Sequence, residues 1–436
     1  MRQFGEKRMS DMNSMSRETK KKHLKQRVIT NPALYQGKPE PQKEPDSREI
    51  IRKTQKKIWK KRLRVIALLL VLIVVAAVGY YMYLRNYQYT DYDVSWEKNF
   101  DRGEGSFTGY LNFGNHILRY TKDGASYVDD NGKEVWVQSY EMKSPIAAVN
   151  EDYAVVADQQ GNSIYIFNKE GHQGTATTLL PILRVTVSGK GVVAAILEDQ
   201  KANYVSMFRK DGTPLDITIK GLLGGEVGYP LDISLSPDGT QLIGSFVYIE
   251  NGVMKSKVAF YDFSEVGKNI PTRLVGGFHD IYENGLVARV VFLDSIYSCA
   301  FADNSISFFS SENVMSPKLL KQETISEQIR SIFYSPDYVG VIVNTASGQE
   351  QCRMDVYRKN GEKLFSESFT YDYLHADIDG DHILLYNEES CRIYNMWGTL
   401  KFEGEFDFPV EKIANGKFPG SFIITGSQAM KEIKLK

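Results

Sequence analysis

The sequence predicts an all-β ectodomain, an eight-bladed β-propeller, preceded by one transmembrane helix and a disordered basic tail. Three observations carry this. Residues 65–84 contain no charged side chain. The chain before them is basic and the chain after them acidic. Beyond residue 92 a strand–turn–strand core recurs at a period of about 40 residues, the spacing of propeller blades with four short strands each.

The near-neutral total of −1 over 436 residues hides the second observation. Residues 1–64 hold 20 Lys+Arg against 7 Asp+Glu, which leaves 33 against 47 for the remainder. A basic arm is therefore joined to an acidic body. A hydrophobic share of 42%, with 26 Tyr and 22 Phe, excludes a wholly disordered chain. Three cysteines exclude a disulfide-built scaffold.

Taken in order, residues 1–46 are polar and interrupted by Pro32, Pro39, Pro41 and Pro45. Such a segment cannot bury enough surface to offset its chain entropy, so it reads as a disordered cytoplasmic tail. Residues 47–64 lack Gly and Pro after the capping pair Asp46-Ser47, and read as a juxtamembrane basic helix. Its Lys56, Lys57, Lys60, Lys61, Arg62 and Arg64 are placed to meet anionic lipid head groups of the bilayer. Residues 65–84, at about 1.5 Å per residue, are long enough to cross a hydrocarbon core of about 30 Å.

The cations before this run, against Arg85 alone just after it, predict a single-pass signal anchor in the cell membrane. Its N-terminus is cytoplasmic and its C-terminal domain extracytoplasmic. Tyr80, Tyr81 and Tyr83 fit an interfacial aromatic belt. A cleaved signal peptide is disfavoured, because its charged region would be 64 residues long. The run Lys20-Lys21-Lys22 has no surrounding fold to aim it at phosphates, so nucleic acid is not an expected partner. Residues 85–91 are expected to be a linker and residues 92–436 the propeller.

The repeat is an apolar strand, a polar turn and a departing strand. It recurs around Tyr127–Lys133, Ile164–Gly171, Val205–Gly212, Val258–Asp262, Ile306–Ser310, Met354–Gly361 and Arg392–Gly398. Its turn glycines are spaced by 39 from Gly132 to Gly171, 41 from Gly171 to Gly212 and 37 from Gly361 to Gly398. Continuous apolar runs such as Tyr153-Ala154-Val155-Val156-Ala157 suit strands sandwiched between neighbouring sheets. Ser236-Pro237-Asp238-Gly239 and Ser335-Pro336-Asp337 suit the turn between the first two strands of a blade.

After the seventh turn the chain supplies three more strands, around residues 410–415, 422–425 and 430–435. The fourth strand of an eighth blade is then expected from residues 92–98, where Tyr92-Asp93-Val94-Ser95-Trp96-Glu97 echoes Lys133-Glu134-Val135-Trp136. Burial of Trp96 in that closure would remove about 150–250 Å² from water, worth roughly 4–6 kcal/mol. The alternative is a seven-bladed ring with an irregular insertion around residues 267–285.

Asp129-Asp130-Asn131-Gly132-Lys133-Glu134-Val135-Trp136 resembles the repeat of quinoprotein-like propellers, in which a D-x-x-G-K-x-x-W stretch ends a blade. The order of tail, anchor and repeats resembles an uncharacterised family of Gram-positive, membrane-anchored propellers with quinoprotein-like or WD40-like repeats. The resemblance implies architecture and no activity.

No H-E-x-x-H, G-x-S-x-G, G-x-x-x-x-G-K or C-x-x-C motif occurs. The sequence nominates no catalytic, cofactor-binding or metal-binding residue and no cofactor. Asp377, Asp379, Asp381 and Glu388 have the spacing of a calcium loop, yet His382 stands where its sharp turn wants glycine. His116, His172, His279, His375 and His382 are scattered over different repeats. Cys299, Cys352 and Cys391 lie in strand-like contexts and are expected to be unbridged. A binding scaffold with a protein or ligand partner on a propeller face is the leading functional expectation. An extracellular lyase, glycosidase or quinoprotein-like enzyme with its site at the channel is the alternative.

Overall fold

The computed structural model describes residues 47–99, 108–345, 350–426 and 429–436. The tail expected over residues 1–46 lies outside them. The contacts divide the chain into two compact units, one ending at Met82 and one comprising Tyr83–Lys436.

The basic and the apolar stretches form one helix, Ser47–Asn86, with no break between them. Neither stretch contains a proline, so nothing removes a backbone donor along the way. Gln55–Asn86 is long and apolar enough to cross a membrane.

The second unit is built from eight four-stranded antiparallel sheets. Seven are simple meanders, over residues 108–139, 145–177, 182–221, 229–278, 287–324, 329–369 and 375–405, here blades 1 to 7. Blade 8 takes three strands from Val410–Asn415, Ser421–Gly426 and Ala429–Leu435, and its fourth from Tyr92–Asn99. The closing strand pairs Tyr92 with Leu435 and Asn99 with Ala429, with a register shift between Val94 and Trp96. The eight-bladed expectation holds. The seven-bladed alternative fails because residues 267–285 contain the outer strand of blade 4, Leu274–Phe278, flanked by short 3₁₀ turns.

Burial follows strand position within each blade. Second strands such as Val193–Glu198 and Tyr338–Asn344 are buried almost throughout, because blades cover both faces of the sheet there. Outer strands alternate, as in Pro214–Gly221, because one side of the sheet is open to water near the rim. That position corrects the expectation for Trp96. It lies on an outer strand and is half-buried against Tyr110, Ile117, Val128, Ala414, Ile423 and Met430, so the area it removes from water is smaller than expected.

Eight apolar clusters fill the eight seams between neighbouring blades. The repeat's turn glycines, Gly132, Gly171, Gly212, Gly361 and Gly398, lie where third strands pass to outer strands. In blade 1, Asp129 Oδ1 accepts the backbone N–H of Asn131 at 2.9 Å and of Lys133 at 2.8 Å, and Gly132 takes a φ of +71°. Only glycine holds that left-handed conformation without strain, which is why the repeat is legible as a glycine period.

Residues 85–91, expected as a linker, are tied to blade 7. The helix runs on through Asn86, the Arg85 guanidinium sits 5.3 Å from the Trp397 ring, and Asn395 Nδ2 donates to the Arg85 carbonyl at 3.2 Å. Tyr89 forms a bridge with Phe402, and Lys401 Nζ donates to the Leu84 carbonyl at 2.9 Å.

Candidate functional site

In each meander the tight turns, between first and second and between third and outer strands, fall on one face of the ring. The connections from second to third strand, and from one blade to the next, fall on the other. These are the turn face and the loop face. Leu84 and Arg85 lie at the turn face, since their partners are Asn395 at the end of the third strand of blade 7, Trp397 in the turn and Lys401 at the start of the outer strand.

The carboxylates with calcium-loop spacing do not converge. Asp377 and Asp379 lie on the inner strand of blade 7, His375–Asp379, and stitch seams. Asp377 Oδ2 accepts from Lys412 Nζ at 2.9 Å and from Tyr386 OH at 2.7 Å. Asp379 Oδ2 accepts the Asn415 N–H at 2.7 Å and Asn112 Nδ2 at 3.1 Å, joining blades 7, 8 and 1. Asp381 and Glu388 flank the strand His382–Tyr386, so they stand on opposite faces of the ring. The segment between them is a buried strand, as expected from the apolar run His382-Ile383-Leu384-Leu385-Tyr386.

The histidines are equally dispersed. His375 pairs with Tyr386 and His382 with Asp379, which puts these sequence neighbours at opposite ends of one hairpin. His382 Nδ1 meets Asn415 Oδ1 at 3.1 Å, and burial pushes its pKa below the usual imidazole value. The three thiols are free and buried. Cys352 lines the seam of blades 6 and 7 and Cys391 that of blades 7 and 8. Burial raises the Cys299 and Cys391 thiols far above their ordinary range, which makes them packing groups rather than nucleophiles.

Charged groups of the inner strands are used as clasps between blades. Asp232 of blade 4 accepts the Val290 N–H of blade 5 at 3.0 Å, with Arg289 Nε 3.7 Å away. Burial raises the Asp232 pKa while the Arg289 charge opposes the rise. Arg289 Nη2 in turn donates to Tyr334 OH of blade 6 at 3.1 Å. Two small cavities open toward the turn face. One, of about 380 Å³, lies where blades 7, 8 and 1 meet and is lined by Asn112, His116, Asp130, Asp379, Asn415 and Lys417. The other, of about 260 Å³, is bordered by Tyr297, Asp337, Tyr338, Arg358 and Lys359.

The two faces differ in charge, a feature that sequence reading missed because the loops concerned are dispersed along the chain. On the turn face Lys133, Lys169, Lys190, Lys210, Lys359 and Lys417 interleave with acids. Several are paired, as Lys169 with Asp152 at 2.5 Å, and Lys359 with Asp294 at 2.9 Å and Asp337 at 3.0 Å. Among the described residues of the loop face, the inter-blade connections carry Glu141, Glu226, Asp280, Glu283, Asp372 and Asp407. Its second-to-third strand turns add Asp123, Asp199, Glu250, Asp303, Glu388 and Glu389. The cations among them are Lys122, Lys143, Lys201 and Lys255. The same connections expose Leu179, Leu222, Leu223, Leu286 and Leu374 to solvent.

Comparison with known proteins gives architecture. Residues 85–435 match the family of unknown function DUF5711. No curated protein matches the sequence. Among solved structures, Sqt1 of Chaetomium thermophilum, in the crystal structure titled as bound to the N-terminus of the ribosomal protein L10, is 12% identical with a TM-score of 0.52. That match covers 79% of this chain and 100% of the other. A second Sqt1 structure from the same organism gives 10% identity, a TM-score of 0.51 and the same coverages. Hsv2 of Kluyveromyces lactis is 9% identical at a TM-score of 0.45, covering 69% of this chain and 98% of the other. The two Sqt1 likenesses place the fold among WD40-like propellers.

Proposed function

The chain belongs to that family of unknown function, and from its faces we propose that it is a membrane-anchored, extracytoplasmic scaffold that binds a protein. The observation that carries this reading is the division of labour among its polar groups. Inner-strand charges are spent on holding blades together, as Asp232 with Val290 and Asp379 with Asn415, while one face offers aliphatic side chains among acids. Rigid faces that present loops are what propellers use for docking. Sqt1, of the same architecture, is recorded with the N-terminus of another protein bound, which supports a protein as the partner class.

The anchor in this proposal is the apolar run of residues 65–84. Lys60, Lys61, Arg62 and Arg64 hold the N-terminal side at anionic cytoplasmic head groups, and residues 1–46 extend beyond them as a basic arm. The propeller is then outside. Protease added to intact protoplasts is expected to digest the propeller and leave an N-terminal epitope on the tail intact. Protection of the propeller, with loss of the N-terminal epitope from intact protoplasts, would reverse the orientation.

A further inference from the structure

One blade departs from its neighbours on the loop face. The second and third strands of blade 4, Gln241–Glu250 and Val253–Asp262, are ten residues long, against five to seven for the corresponding strands elsewhere. The extra length is a hairpin that continues past the end of the inner strand. Its tip is the turn at Asn251 and Gly252, with φ of +51° and +79°. On one side it is braced by the connection from blade 3, where the Ile249 N–H donates to the Leu223 carbonyl at 2.9 Å.

Strand register shows what the hairpin offers on one of its faces. Ile249 pairs with Met254 and Val247 with Ser256, so all four side chains share one face. Ser256 Oγ accepts the Val287 N–H at 3.1 Å, which turns that face toward the start of blade 5. Nearer the ring this face is closed, with Val247 and Ser256 buried. Farther out it opens, with Ile249 46% and Met254 64% exposed. Across from them Leu286, immediately before Val287, is 41% exposed.

The rim of this groove is acidic. The connection between blades 4 and 5 brings Asp280 and Glu283, and Asp303 Oδ1 accepts the Leu286 N–H at 2.9 Å. The segment stands close to the hairpin strands, since its Tyr282 is buried in one cluster with Val258 and Phe260. Lys255 is already committed to Glu250 at 2.5 Å. Apart from His279, 3.1 Å from Asp280, what remains beside the aliphatic wall is carboxylate.

We infer that the groove between the blade 4 hairpin and residues 279–286 docks a basic polypeptide segment, an apolar side chain of which seats on Ile249, Met254 and Leu286. Lysine or arginine neighbours of that side chain meet Asp280, Glu283 and Asp303. This rests on the protein-binding reading and gives it a face and a partner chemistry. An apolar anchor ringed by complementary charge supplies affinity from the anchor and attraction and register from the charges. The predominantly acidic rim disfavours an anionic polymer or an anionic lipid surface.

The test uses the full chain in lipid nanodiscs and a fluorescent peptide probe, a Lys-rich 12-mer with one central Leu. Binding is expected to weaken about tenfold on Met254→Ser or Glu283→Lys, and to be lost when the probe's Lys are replaced by Glu. Phe418→Ser, at an exposed turn of the opposite face, is expected to leave binding unchanged. Equal binding to the parent and Met254→Ser proteins, or loss on Phe418→Ser, would overturn the groove. A second arm places a photoreactive phenylalanine at position 254 or 418 of the chain in its native membrane. The expected result is a protein adduct at 254 that Glu283→Lys abolishes. Adducts at 418 alone would leave the scaffold reading standing and overturn this groove, and the absence of adducts at both positions would overturn both.

Discussion

The seam between blades 6 and 7 and the seam between blades 8 and 1 perform the same task with different means. In the first, twelve buried side chains interlock, among them Ile342, Met354, Val356, Ile383 and Leu385. In the second, six described residues are buried together: Tyr110, Ile117, Val128, Ala414, Ile423 and Met430. Polar links supplement them there, with Tyr110 OH donating to the Gly426 carbonyl at 3.3 Å and Asn112 reaching Asp379. The cavity lined by Asn112, His116 and Asn415 lies at this junction. The difference teaches that the seam of blades 6 and 7 rests chiefly on packing, whereas the joint between the two ends of the ring adds strand pairing and polar stitches to a smaller described core.

The largest effect should come from breaking that pairing. Tyr92–Asn99 contributes the whole outer edge of blade 8, and its loss would expose the edge strand Ala429–Leu435 along its length. A soluble chain beginning at Asp91 is expected to unfold in one cooperative transition as a monomer. A chain beginning at Arg102 should lose more than about 5 kcal/mol, a large part of the stability of an ordinary domain, and aggregate. Calorimetry with light scattering reads both outcomes. Equal melting of the two chains would show that the closing strand carries no stability.

A smaller effect separates the two seams directly. Ile383→Ala in the seam of blades 6 and 7 and Ile423→Ala in the closing seam each empty a fully buried site, at about 2–5 kcal/mol. The distribution of the damage should differ. Hydrogen exchange after Ile423→Ala is expected to speed up chiefly in Tyr92–Asn99 and Ala429–Leu435, because the joint can open locally. After Ile383→Ala, exchange should rise through the ring together. Uniform acceleration in both variants would erase the distinction between the seams.

Much of the propeller was readable from sequence because each blade repeats one local problem. A tight turn needs a left-handed residue, so Gly132, Gly212 and Gly361 mark the period, and sandwiched strands need continuous apolar runs. The closing strand was legible from Trp96 and its neighbours, although its position on an outer strand left the indole half-buried. The groove was not legible. Ile249, Met254, Leu286, Asp280 and Asp303 come from a hairpin and two later connections, and their meeting depends on how blades 4 and 5 pack. Nor did sequence show that Asp377 and Asp379 are clasps, because an acid in a short turn and an acid on an inner strand look alike until the neighbouring blade is in place.

The smallest effect concerns His382, which belongs to the ring's polar stitching where blade 8 meets blade 7. Its ring lies against Phe422 at 5.2 Å, edge to face, and its Nδ1–H donates to Asn415 Oδ1. Burial is the main reason its pKa is lowered, with the nearby Asp381 and Asp379 charges opposing. In the unfolded chain the imidazole takes up its proton near pH 6.5, while in the ring it resists until the pH is lower. Unfolding therefore takes up a proton in that interval, so the stability contributed by the neutral ring is present above pH 6.5 and is lost as the pH falls through the depressed value. Between pH 7.5 and 5.5 the melting temperature should fall by about 1–3 °C more in the parent protein than in His382→Gln, whose amide keeps a donor and does not titrate. Parallel pH profiles for the two proteins would show that this histidine titrates alike in the ring and in the unfolded chain.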